Sequence, residues 1–145
     1  MERQLIEEFV STGQARFEYR HYIVVDGNAG GAESRRAAEA SECANAQGEF
    51  WNYNKIVFAN QQGEGQGAFA DRRLKAFAEN IGLDTAKFNE CFDSRRYANN
   101  VLADEALARS LGVSGTPTVF VNGMRVQNPL DLNGYRQLVQ VALNQ

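Results

Sequence analysis

Residues 111–123 read LGVSGTPTVFVNG, and MRVQ follows at 124–127. Asn122-Gly123 lies between two β-prone runs, and a two-residue type I′ turn needs positive φ at both central positions, which Asn and Gly tolerate. The stretch therefore predicts an antiparallel hairpin. Gly112 stands where a preceding helix must stop, and Pro117, with no N–H to give a ladder, suits the head of a strand, a turn or an edge.

On the C-terminal side, Tyr135, Leu138, Val139, Ala142 and Leu143 form the stripe of a helix that begins after Asp131. On the N-terminal side the pattern is helical. A helix from about Tyr97 to Leu111 brings Val101, Ala108 and Leu111 to one side. Another follows the candidate N-cap Asp84 and groups Phe88, Cys91 and Phe92. A third follows Asp71, with Leu74, Phe77, Ala78 and Ile81 on one face and Gly82 at its end. Upstream come a short helix in EFWNYNKIVFANQ (49–61) and an alanine-rich one in ESRRAAEASECANAQG (33–48), which Gly48 closes. In ARFEYRHYIVV (15–25), Phe17, Tyr19, His21 and Ile23 alternate with Arg16, Glu18, Arg20 and Tyr22, which predicts a strand. A loop at Asp26-Gly27-Asn28 and Gly30-Gly31 should follow. The opening MERQLIEEFVSTGQ reads as the end of an amphipathic helix stopped by Gly13. The reading is one α/β domain over 1–145 in which a helical block of about 33–111 interrupts a sheet.

Composition narrows the classes. A chain of 145 residues can bury a core without staples, and 43% hydrophobic with 23% charged residues excludes disorder, collagen and coiled coil. No apolar run approaches the roughly 20 residues of a membrane span, so no transmembrane segment is expected. A net charge of -3 is the opposite of a nucleic-acid binder's basic footprint. One histidine and two cysteines are too few for a closed zinc site, and neither metal nor cofactor is expected. No leader pattern of charged, apolar and small residues is visible. QQGEGQGAF (61–69) is glycine-rich, but a helix precedes it and no Gly-Lys-Ser/Thr follows, so it reads as a connector and not a phosphate loop.

LGVSGTPTVFVNG, the phrase ECANAQGEFWNYNKIVFANQ (42–61) and the closing helix together resemble the DsbA-like family of thiol-disulfide oxidoreductases, over nearly the whole chain. The resemblance implies a thioredoxin fold with a helical insertion. It implies that Gly115-Thr116-Pro117 is the cis-proline loop, with Thr116 and Pro117 binding a substrate segment through the backbone. It also implies protein or peptide substrates and an extracytoplasmic site, in the periplasm or cell-envelope exterior, with tethering to a membrane through a missing N-terminus. The departure from the family is its reactive motif. Members carry, upstream, a strand ending in Cys-x-x-Cys, whose first cysteine sits at a helix N-terminus that lowers its pKa. This chain has no Cys-x-x-Cys and starts about where the second half of that helix should be. No catalytic residue is therefore expected, and the missing strand falls between the ARFEYRHYI and PTVFV strands. Either the remaining sheet parts pair directly, or a second copy or partner chain supplies a strand.

Cys43 and Cys91 carry two readings from their neighbours alone: a displaced redox pair, or two buried free thiols. The resemblance adds a third, a structural disulfide joining helices of the insertion, and with it an oxidising compartment. His21, alone in its strand, reads as a sheet residue with a satisfied ring. The pairs Arg35-Arg36, Arg72-Arg73 and Arg95-Arg96, accompanied by Glu33, Asp71 and Asp93, read as solvated helix ends. Phe50, Trp51, Tyr53 and Phe58 read as core of the insertion. Two functions compete: a redox-inactive DsbA-like oxidoreductase domain, and a non-catalytic thioredoxin-like binding module or accessory subunit of a larger complex.

Overall fold

A computed structural model describes residues 2–144. Its elements are α1 (Glu2–Leu5), continued by a π-helical turn (Ile6–Val10), α2 (Val25–Ala29), α3 (Glu33–Asn45), α4 (Phe50–Ala59), α5 (Asp71–Asn80), α6 (Thr85–Asp93), α7 (Ala98–Ser110), β1 (Phe120–Val121), β2 (Met124–Arg125) and α8 (Leu132–Leu143). They form two compact units, one of Met1–Arg20 with Val113–Gln145 and one of His21–Gly112.

In the first unit, Asn122 and Gly123 take φ of 46° and 81°, the positive pair that a type I′ turn demands. Phe120 then faces Arg125 and Val121 faces Met124 in an antiparallel pair, and Val126 N–H extends the ladder to the Val119 carbonyl at 2.9 Å. The strands are shorter than the apolar run suggests. Val126 packs with Leu5, Phe9, Tyr135 and Val139 in a small buried core. Asp131 caps α8 by accepting from Asn133 N–H, and Arg136 clasps Glu8 with two bonds of 2.7 and 2.9 Å. Those bonds fasten α8 to the first helical segment.

The second unit is a helical bundle around α3. Ala40 and Ala44 are fully buried, one turn apart, and their methyl groups let α4 and α6 approach closely. Leu74, Phe77, Ala78, Phe88, Cys91 and Phe92 complete the core, as the helical periodicity predicted. Tyr53 is also fully buried and donates to the Leu74 carbonyl at 2.9 Å, which satisfies the one polar atom its ring brings inside. Asp84 caps α6 by accepting from Lys87 N–H.

Several expectations need correction. Residues 15–24 are assigned to no strand, and the described sheet consists of β1 and β2 alone. β propensity makes a segment extended, but only a neighbouring ladder makes it a strand. Among the described residues the assigned sheet pairing is that of β1 with β2. Val25–Ala29 is a helical turn where strand end and loop were expected, and the Asp26 carboxylate accepts from the Ser34 and Arg35 N–H groups at 2.9 Å each. That contact caps α3 from outside, since Ala32 at its N-cap position has no side-chain acceptor. On α7 the buried face is Val101 with Glu105, while Leu111 is exposed. Of the aromatic set, Phe50 and Tyr53 are buried, but Trp51 and Phe58 stand out on the surface of α4.

Candidate functional site

The Thr116–Pro117 peptide bond is cis, and both residues are exposed just ahead of β1. Thr118 turns its hydroxyl back to the Gly115 carbonyl at 2.7 Å, which folds the entry to the strand. Among the described residues no hydrogen bond engages the backbone N–H or carbonyl of Thr116. An exposed donor and acceptor beside a strand can pair with an incoming extended segment.

Cys43 on α3 and Cys91 on α6 are joined by a disulfide, both nearly buried, which excludes the reading of two free thiols. One turn before Cys43 on α3, Glu39 faces Arg95, which lies just past the end of α6. The guanidinium donates to both carboxylate oxygens, at 2.7 and 3.2 Å, although Glu39 is only 1% exposed. Arg36 donates to Glu39 at 2.8 Å and to Asp71 at 3.0 and 3.1 Å, with its guanidinium carbon 3.7 Å from the centre of the Phe92 ring. Burial opposes ionisation of Glu39, but the hydrogen bonds and charges of Arg95 and Arg36 together outweigh it and hold its carboxyl below the ordinary range.

Arg36 is thus not a solvated helix end. It is a largely buried cation that ties α3, α5 and α6. Arg35 similarly reaches Glu105 on α7 at 3.2 Å, and Arg109 holds the other oxygen of that buried carboxylate at 2.6 Å. Arg95 itself has φ of 53°, the left-handed position where helices usually place glycine, and Arg96 N–H closes the turn on the Cys91 carbonyl at 3.1 Å. Its two bonds to Glu39 hold Arg95 in that conformation, which costs a side chain roughly 1–2 kcal/mol.

His21 is buried, as a satisfied ring should be, though outside any strand. Its Nε2 lies 2.9 Å from a Glu42 oxygen, and its backbone N–H donates to Asp104. The glycine-rich connector is tied down by Glu33, whose carboxylate accepts from the Gly67 and Phe69 N–H groups at 2.8 and 3.0 Å. A phosphate loop would aim such N–H groups at its ligand. Among the described residues no cluster of potential metal ligands occurs, and no helix is long and apolar enough to cross a membrane.

Comparison with known proteins bears on this geometry. The sequence pattern of a family described as thioredoxin matches residues 1–141. BdbD from Bacillus subtilis, in its oxidised form, superimposes with a TM-score of 0.84 at 22% identity, covering 99% of this chain and 76% of BdbD. A thioredoxin-like oxidoreductase from Silicibacter pomeroyi matches with a TM-score of 0.68 at 23% identity, covering 88% of this chain and 68% of that one. Among curated relatives, a stretch of the Na+/H+ antiporter NhaA 3 of Salinispora tropica is 32% identical over 97% of this chain, and one of NhaA 1 of Salinispora arenicola is 35% identical over 85%. The chain spans only about a fifth of the length of these relatives.

Proposed function

Because the chain belongs to the thioredoxin family and has its DsbA-like fold, we propose that it is the substrate-binding part of a thiol-disulfide oxidoreductase domain, working outside the cytoplasm and redox-inactive toward protein substrates as it stands, for want of a Cys-x-x-Cys. The whole chain forms one incomplete thioredoxin-like domain whose insertion covers about 33–111. Disulfide exchange on a protein substrate needs an attacking and a resolving thiol. The chain has two cysteines, no Cys-x-x-Cys, and both cysteines are held in the Cys43–Cys91 bridge. What it retains is the recognition element. Thr116 and Pro117 serve as the cis-proline loop and bind a polypeptide segment by strand addition. A further strand beside the β1–β2 hairpin comes from a second chain. The observation that carries the reading is the exposed Thr116 with its backbone donor and acceptor unengaged.

The test is titration of the chain with an unfolded peptide in which serine replaces cysteine, read by calorimetry. Thr116→Pro removes the N–H donor and should abolish binding, whereas Thr116→Val keeps it and should bind within about threefold. Equal binding by both variants would refute the assignment. A second reading has one observation in its favour: the curated relatives are much longer and are named as antiporters. The chain would then be a non-catalytic thioredoxin-like module accompanying a membrane protein. Upstream coding sequence distinguishes the two, since an in-frame strand ending in Cys-x-x-Cys supports the oxidoreductase and its absence the module.

A further inference from the structure

Seen from the surface, the Cys43–Cys91 bridge forms part of the wall of a small solvent-open pocket of about 130 Å³, whose rim carries Gln47, Lys87, Glu90 and Arg96. Gln47 is fixed there by two bonds to the Asp84 backbone, at 2.9 and 3.2 Å. The left-handed turn at Arg95, pinned by Glu39, is what directs the chain so that Arg96 borders the pocket. Both cations have carboxylate partners, Lys87 with Asp84 at 3.1 Å and Arg96 with Glu90 at 3.3 Å. These are exposed pairs, of the kind that contributes little and that an arriving anion can displace.

We propose that this disulfide is a thiol-exchange site for a small anionic thiol, one bearing a carboxylate or sulfonate that Lys87 and Arg96 receive. In the exchange, the incoming thiolate forms a bond to one bridge sulfur, and the pair of electrons in the S–S bond leaves on the other as a thiolate. A second molecule of the same thiol attacks the mixed disulfide. Two small thiols are thereby oxidised to their disulfide, while Cys43 and Cys91 are reduced and take up the two protons. The exchange is stoichiometric and independent of any Cys-x-x-Cys. A folded or unfolded polypeptide has no room in a pocket of this size, so failure of the peptide-binding reading leaves the exchange untouched, and the reverse also holds.

The test uses the oxidised full chain under native conditions with 2-mercaptoethanesulfonate, and with neutral 2-mercaptoethanol as comparison. Mixed-disulfide formation and freed thiols are followed by mass spectrometry, with rates normalised to those on a small-molecule disulfide. The sulfonate thiol should react faster than the neutral one by about tenfold, the lower end of what a cationic site gives an anionic ligand. Lys87→Gln and Arg96→Gln should each remove most of that preference, and Glu90→Gln should enlarge it. All three side chains are well exposed, so the variants keep the fold, which unchanged Trp51 fluorescence verifies. The proposal is overturned if the bridge reacts only after urea unfolding, or if native-state rates ignore the three charge changes.

Discussion

Reduction of Cys43–Cys91 is expected to bring the helical unit close to unfolding. The bridge joins positions 48 apart, and a cross-link of that span removes about 4 kcal/mol of chain entropy from the unfolded state. Domains have only about 5–15 kcal/mol in total, so this one bond is a large fraction. Trp51, the single tryptophan, lies on α4 edge-on to Phe50 at 5.0 Å and reports on this unit alone. Urea unfolding read by its fluorescence should show a midpoint lower by roughly 2–3 M in the reduced chain, taking a slope of about 1.5 kcal/mol per M. Reduction leaves both sulfurs in place, so it isolates the covalent link. The double variant Cys43→Ala, Cys91→Ala opens two small cavities in the core as well and should fall about a further 1–2 kcal/mol. If the reduced and oxidised chains unfold within about 1 kcal/mol of each other, the unfolded state is already compact around these helices and the entropy argument fails.

Three other outcomes follow from single residues. The Glu39 carboxyl titrates below its unfolded value near 4.3, so its contribution is complete above that pH and disappears as pH falls through the folded value; Glu39→Gln should therefore be less stable at pH 7 but lose less on acidification, measured by urea midpoints at pH 7 and pH 3. Gly123→Ala forces a side chain to φ of 81° and should cost about 1–2 kcal/mol, whereas Asn122→Gly at φ of 46° should be nearly neutral, as thermal melts will show. Tyr53→Phe keeps the ring but leaves the Leu74 carbonyl without its side-chain donor, which should lower stability by about 1 kcal/mol in urea unfolding.

What was legible in the sequence was local. The hairpin was written in Asn122-Gly123, and the helices announced themselves by period and by the glycines that stop them, Gly48, Gly82 and Gly112, each of which adopts positive φ. Features set by distant partners were not legible. Residues 15–24 have strand chemistry, yet a strand depends on a neighbour that no local pattern encodes. The cap of α3 comes from Asp26, several residues outside the helix, and no positional rule for capping reaches that far. Arg72, Arg95 and Arg96 are exposed, as solvated helix ends should be, but Arg36 is not, and no local pattern encodes its pairing with Asp71 or that of Arg95 with Glu39. A usable signal existed. Glu39 lies between Ala38 and Ala40 and four residues before Cys43, on the stripe of α3 that must be buried, and a carboxylate there demands a cation. A second was the end of α6, where a helix stops at Asp93 with no glycine to accept the left-handed turn.

The spacing of these residues explains why the bridge and the buried ion pair occur together. Glu39 and Cys43 are one turn apart on α3, and Cys91 and Arg95 are four residues apart at the end of α6. Helical rise puts Glu39 and Cys43 on one face of α3, and the left-handed turn at Arg95, just past the end of α6, returns its side chain to the same crossing, so that Cys43 meets Cys91 while Glu39 meets Arg95. One crossing is thus fastened twice, covalently and ionically, with the Phe92 ring under Arg36. The two respond to different conditions, the bridge to thiols and the ion pair to acid. Since the ion pair also fixes the left-handed Arg95 and hence the course of the chain at Arg96, it sets the rim of the pocket through which a thiol would reach the bridge.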